Sequence, residues 1–352
     1  MVKAKISFIN KPGDLVIKEV ELPDPNPDQV LIKVKAVGIC GSDVECYEGK
    51  SAEGRFDLGP YTMGHEWSGE VIKTGNCVSK LKPGDKVTSD CVLACGHCYN
   101  CTMGRMPSAC LNMREVGFRP DSPGGMGEYM NLEQQYVHRF PDDWSYEEGA
   151  LIEPVSIGYF AAWGNNGFVD PSENVVIFGA GSIGLSALIV AKAAHARAIM
   201  IEPLANRQAM ARKYGADHII NPFTHDPIEE VMKITDGVGG NLVVEASGND
   251  KAIDMTFYVS AHSARIRLTG HSVGRKVAVE LGKTIWKTLL ITGAGGIKDF
   301  TPRTITMMDR LRKEVDFTSM ITHRYPFSKI HEAFNEAIND KPGAVKVIMS
   351  MD

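Results

Sequence analysis

The chain has 352 residues, 43% of them hydrophobic and 23% charged, with a formal net charge of -5. That length points to two domains rather than one, and the composition excludes disordered, collagen-like and coiled-coil classes. The mild acidity and the lack of any long block of like charges argue against a generic affinity for nucleic acid, so small molecules are the expected partners.

Met1-Val2-Lys3-Ala4-Lys5 is followed by no apolar stretch of signal-peptide length and no small-residue cleavage site, so a cytoplasmic location is expected. From Val30, the residues Ile32, Val34 and Ala36 alternate with Lys33 and Lys35, the period of a strand with one wet face. Turn signals such as Lys82-Pro83-Gly84-Asp85 and Pro123-Gly124-Gly125 punctuate roughly the first 140 residues, which read as a β-barrel-like domain. Ser145 with Glu148 three residues later forms a capping box, placing a helix start near Tyr146. From about Ser156 to Gly293 strand-like and helix-like segments alternate: Val175 to Phe178, the Leu185 to Ala194 helix, Ala198 to Ile201, and Leu242 to Val244. This is the pattern of a parallel sheet covered by helices. The longest uncharged run, Val175 to Ala191, contains Gly179, Gly181 and Gly184 and reads as strand, turn and helix rather than a membrane span. Near the end, Ile330, Ala333, Phe334, Ala337 and Ile338 have amphipathic-helix spacing with Ser328 as expected cap, and Val345 to Ile348 is the expected last strand. With no repeat and no flexible tether, the domains should be joined by ordered structure, with a cleft between them.

Three groups of residues carry chemistry. Gly179-Ala180-Gly181-Ser182-Ile183-Gly184 follows an apolar strand and opens a helix, and Glu202 closes the next strand. This is the setting of a dinucleotide site: glycines for the tight turn, close pyrophosphate approach and helix packing, and free amides at the helix start for the phosphates. A carboxylate at Glu202 would accept hydrogen bonds from ribose hydroxyls and repel a 2′-phosphate, favouring NAD over NADP; Arg207, five positions on, is the nearby cation that tempers this. Cys95, Cys98 and Cys101 form two consecutive C-x-x-C units, with Cys110 a short loop later. Four such thiolates suit a closed, structural tetrahedral zinc, and His97 among them reads as a loop residue. The third group is dispersed: Cys40-Gly41-Ser42-Asp43, Gly64-His65-Glu66 and Glu153-Pro154, each weak alone. Cys46, Cys77 and Cys91 fit no motif and read as small buried hydrophobes. Phe118, Tyr47 and Trp67 read as core.

Taken together, Gly64-His65-Glu66, the four-cysteine lobe, Ala150-Leu151-Ile152-Glu153-Pro154 and Gly179 to Gly184 resemble the zinc-containing medium-chain alcohol dehydrogenases, over the whole chain. Within that superfamily the pattern is similar to sorbitol and other polyol dehydrogenases and to threonine dehydrogenase, including Ile321-Thr322-His323-Arg324 and Glu332-Ala333-Phe334. The resemblance implies an α/β protein: a GroES-like β-barrel catalytic domain from residues 1–155 and 294–352, and a Rossmann domain with a doubly wound parallel sheet from 156–293. It implies Zn2+, catalytic and structural, with NAD as cofactors, a small polyhydroxy substrate, and a homotetramer or dimer without membrane or nucleic-acid partners. Carried over, Cys40 and His65 would bind the catalytic zinc, Glu66 and Glu153 would supply a third ligand or hold a water at the metal, and Ser42 would take the departing proton.

Two departures bear on the substrate. Glu45 stands where the family commonly has a histidine completing the proton relay, so Glu45 is expected to face the site as the outer relay group or a contact for a polar substrate. Gly293-Ala294-Gly295-Gly296-Ile297 stands where sorbitol dehydrogenases carry an arginine and aromatic pair, which argues against sorbitol itself. The Cys101 to Cys110 loop is also one residue longer than usual. The expected activity is oxidation of a secondary hydroxyl of a polyol, cyclitol or sugar; the alternatives are a threonine-like amino-alcohol 3-dehydrogenase and a catalytically silent NAD-binding regulatory protein.

Overall fold

The computed structural model describes residues 1–50, 56–163, 168–270, 274–293, 300–340 and 342–351. The chain divides into two units, Met1–Glu153 with Gly296–Asp352, and Pro154–Gly295. Residues 294–297, on which one substrate expectation falls, lie outside the described residues.

In the first unit Val2–Lys11 and Asp14–Leu22 form an antiparallel hairpin. Beside it runs a seven-stranded sheet in the order Ile321–Pro326, Lys346–Ser350, Gln29–Ile39, Glu66–Thr74, Lys86–Ser89, Val137–Arg139, with Tyr129–Glu133 also paired to Gln29–Ile39. All neighbours are antiparallel except the first two strands. Gln29–Ile39 is the hub. The predicted alternation holds from Ile32 to Ala36; beyond it Val37 and Ile39 are both buried, because Lys346–Ser350 pairs with Ala36 to Ile39 and packs that end into the core. Ile9, Ile32, Val34, Trp67, Val71, Met130, Phe334 and Val347 share one apolar cluster.

The capping box is present: Tyr146–Ala150 is helical, with Ser145 accepting from the Glu148 amide. The C-terminal helix runs Ile330–Asn339 and buries Ile330, Ala333 and Phe334 as its spacing predicts. Its cap differs from expectation. Ser328 sits inside a short 3-10 turn, Phe327–Lys329, so the cap position falls one residue later, on Lys329, and the helix starts at Ile330 without a side-chain cap.

The second unit carries six parallel strands in the order His218–Ile220, Arg197–Ile201, Asn174–Phe178, Gly240–Glu245, Ser260–Leu268, Leu290–Gly293. The chain winds outward from Asn174–Phe178 in one direction, then returns to Gly240–Glu245 and winds in the other. The order therefore reverses between those two strands, the place where open parallel sheets bind ligands beyond their carboxyl ends. Val176, Phe178, Ile199, Val243 and Ile266 fill the core beneath the helices, and the uncharged run is the expected strand, turn and helix. Among the described residues no helix is long and apolar enough to cross a membrane.

Phe334 is 1% exposed, its ring centroid 5.1 Å from that of Tyr47 on the helix after Cys40. Phe334→Ala should cost the first unit about 3–5 kcal/mol, read as a lowered denaturation midpoint in urea; a loss under about 1 kcal/mol, the scale of an ordinary surface change, would remove Phe334 from the core that seats that helix.

Candidate active site

Gln29–Ile39 delivers Cys40 to the start of the helix Gly41–Tyr47, where the Cys40 amide donates to Asp43 Oδ2 at 2.9 Å. This local bond fixes the thiol at the strand-to-helix corner. Gly64, at φ +96, makes the turn before His65; a Cβ there would lie 2.8 Å from Val37 Cγ2, so only glycine lets the segment pass this close to the hub strand. His65 Nδ1 lies 3.8 Å from Asp43 Oδ1, both atoms are buried without a hydrogen-bond partner, and the Phe118 ring packs against the imidazole at 5.1 Å. Glu66, buried, accepts from Lys346 Nζ at 2.7 and 2.5 Å, and the same ammonium donates to the Ile39 carbonyl. Glu153 enters in the first turn of Ile152–Trp163, with Pro154 where a helix does not need its amide.

These side chains form two overlapping donor groups. The ligand atoms of Cys40, His65 and Glu66 lie within 4.8 Å of one another, and so do those of His65, Cys91 and Glu153. Their electrostatics follow from crowding. Burial pulls the His65 imidazole down, but Cys40 and Asp43 more than reverse this and hold it well above its ordinary value. Burial pushes the Glu153 carboxyl up to about 7, against the pull of His65. Burial alone would lower the Lys346 ammonium, yet Glu66 and Cys40 keep it raised. Two thiols, an imidazole and two carboxylates gathered in a largely buried space are the donor chemistry of zinc. With Nδ1 turned to Asp43, Nε2 is the nitrogen left for a metal, the usual arrangement of a carboxylate behind a ligating histidine.

Ser42 and Glu45 lie three residues apart on Gly41–Tyr47, hence on one helix face, and both are half-buried. Glu45 belongs to neither donor group. Sequence reasoning missed Lys346, a lone cation in an otherwise apolar strand; Asp43, quoted inside a motif but given no task; and Phe118, read as core yet stacked on His65. Two thiols need correction. Cys77 is exposed rather than buried, and Cys91 stands in a donor group because the chain between Ser89 and Val92 bends past His65 and Glu153. Cys46 is buried as expected, in contact with the Tyr61 hydroxyl.

In the cysteine lobe the four sulfurs of Cys95, Cys98, Cys101 and Cys110 lie within 4.8 Å of one another, and all four are free of disulfides. Backbone amides point at them, Cys95 N to Cys110 Sγ at 3.3 Å, Cys98 N to Cys95 Sγ and Leu111 N to Cys98 Sγ at 3.4 Å. Such donors stabilise thiolates, and the amide of His97 leads in drawing the Cys95 thiol down to about 6. The His97 ring itself is turned to the Cys95 carbonyl. The lobe fits a closed zinc site.

At the glycine loop, a Cβ on Gly184 would lie 1.9 Å from the Gly179 carbonyl, whereas one on Gly181 would meet only Arg207 Nη1, at 4.0 Å. Gly184 thus closes helix onto strand, and Gly181 presents bare backbone beside a guanidinium. Ser182 and Ile183 open the helix Ser182–Ala193, whose first amides are the free donors of a helix N-terminus. Glu202, 2% exposed, accepts from the Ala180 amide at 2.7 Å and the Leu204 amide at 2.9 Å, which pins the glycine loop to the end of the neighbouring strand. Each carboxylate oxygen retains a further lone pair. The loop therefore fits a dinucleotide.

Comparison with known proteins agrees with this geometry. Residues 26–142 match the alcohol dehydrogenase GroES-like domain and residues 182–313 match the zinc-binding dehydrogenase family. The chain is 31% identical over 348 residues to sorbitol dehydrogenase of Bacillus subtilis, covering 98% of this chain and 96% of that one. It is 35% identical over 343 residues to L-threonine 3-dehydrogenase of Pyrococcus horikoshii, covering 95% of each. An alcohol dehydrogenase from Escherichia coli CFT073, solved with NADH, superposes with a TM-score of 0.87 at 27% identity, covering 99% of both chains. The chain belongs to the zinc-containing medium-chain alcohol dehydrogenases. It is a zinc-type dehydrogenase with a GroES-like and a Rossmann-like domain, and its cofactors are zinc and a nicotinamide dinucleotide.

The Lys346–Glu66 pair has side chains 3% and 2% exposed. Lys346→Met leaves a buried carboxylate without its cation and should cost about 3–5 kcal/mol, while the double change Glu66→Gln with Lys346→Met should cost clearly less than the sum of those two changes made singly. Chemical denaturation of the four proteins measures this; strict additivity would show that the two groups do not act as a pair.

Proposed function

We propose that this protein oxidises a secondary hydroxyl of a small polyol, cyclitol or sugar to the ketone, reversibly, with NAD. The observation that carries the reading is the pair of donor groups that meet at His65, one with Cys40 and Glu66 and the other with Cys91 and Glu153. The likeness to sorbitol dehydrogenase supports the substrate class. Cys40 and His65 hold the catalytic zinc, with Glu66 and Glu153 as the carboxylate ligands available to it; Cys95, Cys98, Cys101 and Cys110 hold a structural one. Zinc supplies Lewis acidity toward the substrate hydroxyl, and NAD accepts the hydride. Asp43 keeps the His65 ring oriented through Nδ1. Ser42 accepts the hydroxyl proton and passes it on, since one hydroxyl both accepts and donates. Glu45, one helical turn away and half-buried, takes the outer place in that relay. Gly179, Gly181, Ser182, Ile183 and Gly184 receive the pyrophosphate, Arg207 flanks it, and Glu202 receives the ribose.

A second reading is an amino-alcohol dehydrogenase, favoured by the likeness to L-threonine 3-dehydrogenase and by Glu45, whose carboxylate could pair with a substrate amine. A panel of polyols, cyclitols and amino alcohols assayed with NAD separates the two, and the absence of any cofactor reduction would favour a silent regulatory protein. Self-association is supported by the outer strand Leu290–Gly293 and the neighbouring exposed Leu281, Ile285 and Trp286, an apolar rim suited to a second copy of the chain.

Cys40→Ser and His65→Ala should each lower kcat by more than about a hundredfold, the loss that disturbing even the support of a metal ligand can reach, while NADH binding, followed by fluorescence, is retained. Full turnover by a metal-depleted His65→Ala protein would sink the assignment. Glu202→Ala should raise the Kd for NADH by about tenfold to a hundredfold, the scale of a lost charged hydrogen bond, and narrow the gap to NADPH. An unmodified protein with higher kcat/KM for NADP than for NAD would show that Glu202 does not select the cofactor.

A further inference from the structure

We propose that Cys91 is a protein ligand of the catalytic metal, so that the pocket grips its ion through two thiolates, Cys40 and Cys91, with His65 and Glu153. The inference rests on the zinc reading of the pocket and goes beyond it by giving a ligand's role to a thiol that the reading leaves without one.

Three observations carry it. The ligand atoms of His65, Cys91 and Glu153 lie within 4.8 Å of one another, a limit that the four sulfurs of the cysteine lobe also meet. Zinc bonds of roughly 2.0–2.3 Å set ligand atoms at most about 3.8 Å apart, so modest side-chain rotation closes either group onto an ion. Second, the backbone presents Cys91 from a fixed place. Its carbonyl accepts from the Val116 amide at 2.9 Å, the preceding Asp90 amide donates to the Tyr136 carbonyl at 2.9 Å, and Asp90 Oδ1 accepts from Thr301 at 2.6 Å. The two residues that follow, Val92–Leu93, pair with Arg114–Glu115 at the root of the cysteine lobe. A thiol held this way is built into the pocket.

Third, the carboxylate of the other group is already engaged. Both Glu66 oxygens accept from Lys346 Nζ, and that ammonium is too deeply buried to find water instead. Glu66 thus divides its charge between Lys346 and the pocket, and the group that contains Cys91 supplies a further thiolate beside it. Sulfur also suits the ion: thiolate is a strong zinc donor, and a second one offsets the charge that Glu66 has given to Lys346.

The test uses the full-length protein with cobalt(II) in place of zinc at both sites. Six thiolate–cobalt bonds, four in the lobe and two in the pocket, give near-ultraviolet charge-transfer absorption. Cys91→Ser should remove about one sixth of it and speed loss of one of the two metal ions to a chelator, with unchanged far-ultraviolet circular dichroism showing an intact fold. Cys77→Ser, an exposed thiol outside both sites, should change neither. An unchanged cobalt spectrum and unchanged metal release in Cys91→Ser would reduce Cys91 to a wall of the pocket and overturn the proposal. Should the variant fail to fold, alkylation of the unmodified protein decides: Cys91 must become reactive in step with Cys40 as the pocket metal is withdrawn, and a rate indifferent to metal overturns the proposal. A single zinc per chain in the unmodified protein, held by the lobe, would instead overturn the zinc reading of the pocket and this proposal with it.

Discussion

The buried ion pair between Lys346 and Glu66 is the constraint on which the catalytic unit turns. It joins residues 280 positions apart, and it does so where three strands meet: Lys346 on one edge of the hub strand, Glu66 on the other, and the Ile39 carbonyl between them. Breaking it would strand a charge where no water can reach, so the two edges are held in register around the strand that ends at Cys40. His65 precedes Glu66 directly, and its position is inherited from the same lock. A charge pair of this kind need not add net stability over apolar packing; what it contributes is a single allowed arrangement for the side chains beside it.

The lock also sorts the carboxylates. Glu66 and Glu153 look equivalent as donors, yet one faces a fixed ammonium and the other lies beside His65 and Cys91, where burial raises its carboxyl to about 7 against the pull of His65. In the second unit, buried acids perform a related task without metal. Glu202 gathers the amides of Ala180 and Leu204, and Glu245 those of Ser247 and Gly248, so the loops at the ends of two strands flanking the switch point are tied by carboxylates. These loops are thereby fixed by the chain's own carboxylates.

Much of this was legible in the sequence because it rests on local chemistry. The glycine loop, the four-cysteine lobe, the Ser145 cap and the apolar face around Phe334 are each specified within a few residues, and a reader needs only spacing to find them. What escaped was nonlocal. Lys346 looks like a solvent-facing lysine until the strand is known to lie inside the sheet, and Cys91 looks like filler until the turn at Gly64 brings His65 to it. Ser328 was misplaced for a smaller reason: a 3-10 turn intervened, and a side-chain cap was not needed where Phe327 and Ile330 are buried.

The interrupted course of the first unit has a consequence for how the nascent chain matures. Pro154–Gly295 has all six of its strands once Gly293 has left the ribosome, and it can fold as it is made. The hub strand Gln29–Ile39 emerges far earlier but must wait, its Ala36 to Ile39 edge bare, until Lys346–Ser350 is synthesised to cover it. Through that interval the cell holds a chain with an unpaired, apolar strand edge beside reactive thiols, the kind of template that invites pairing with other chains. Late covering of that edge is thus written into the order in which the strands are made.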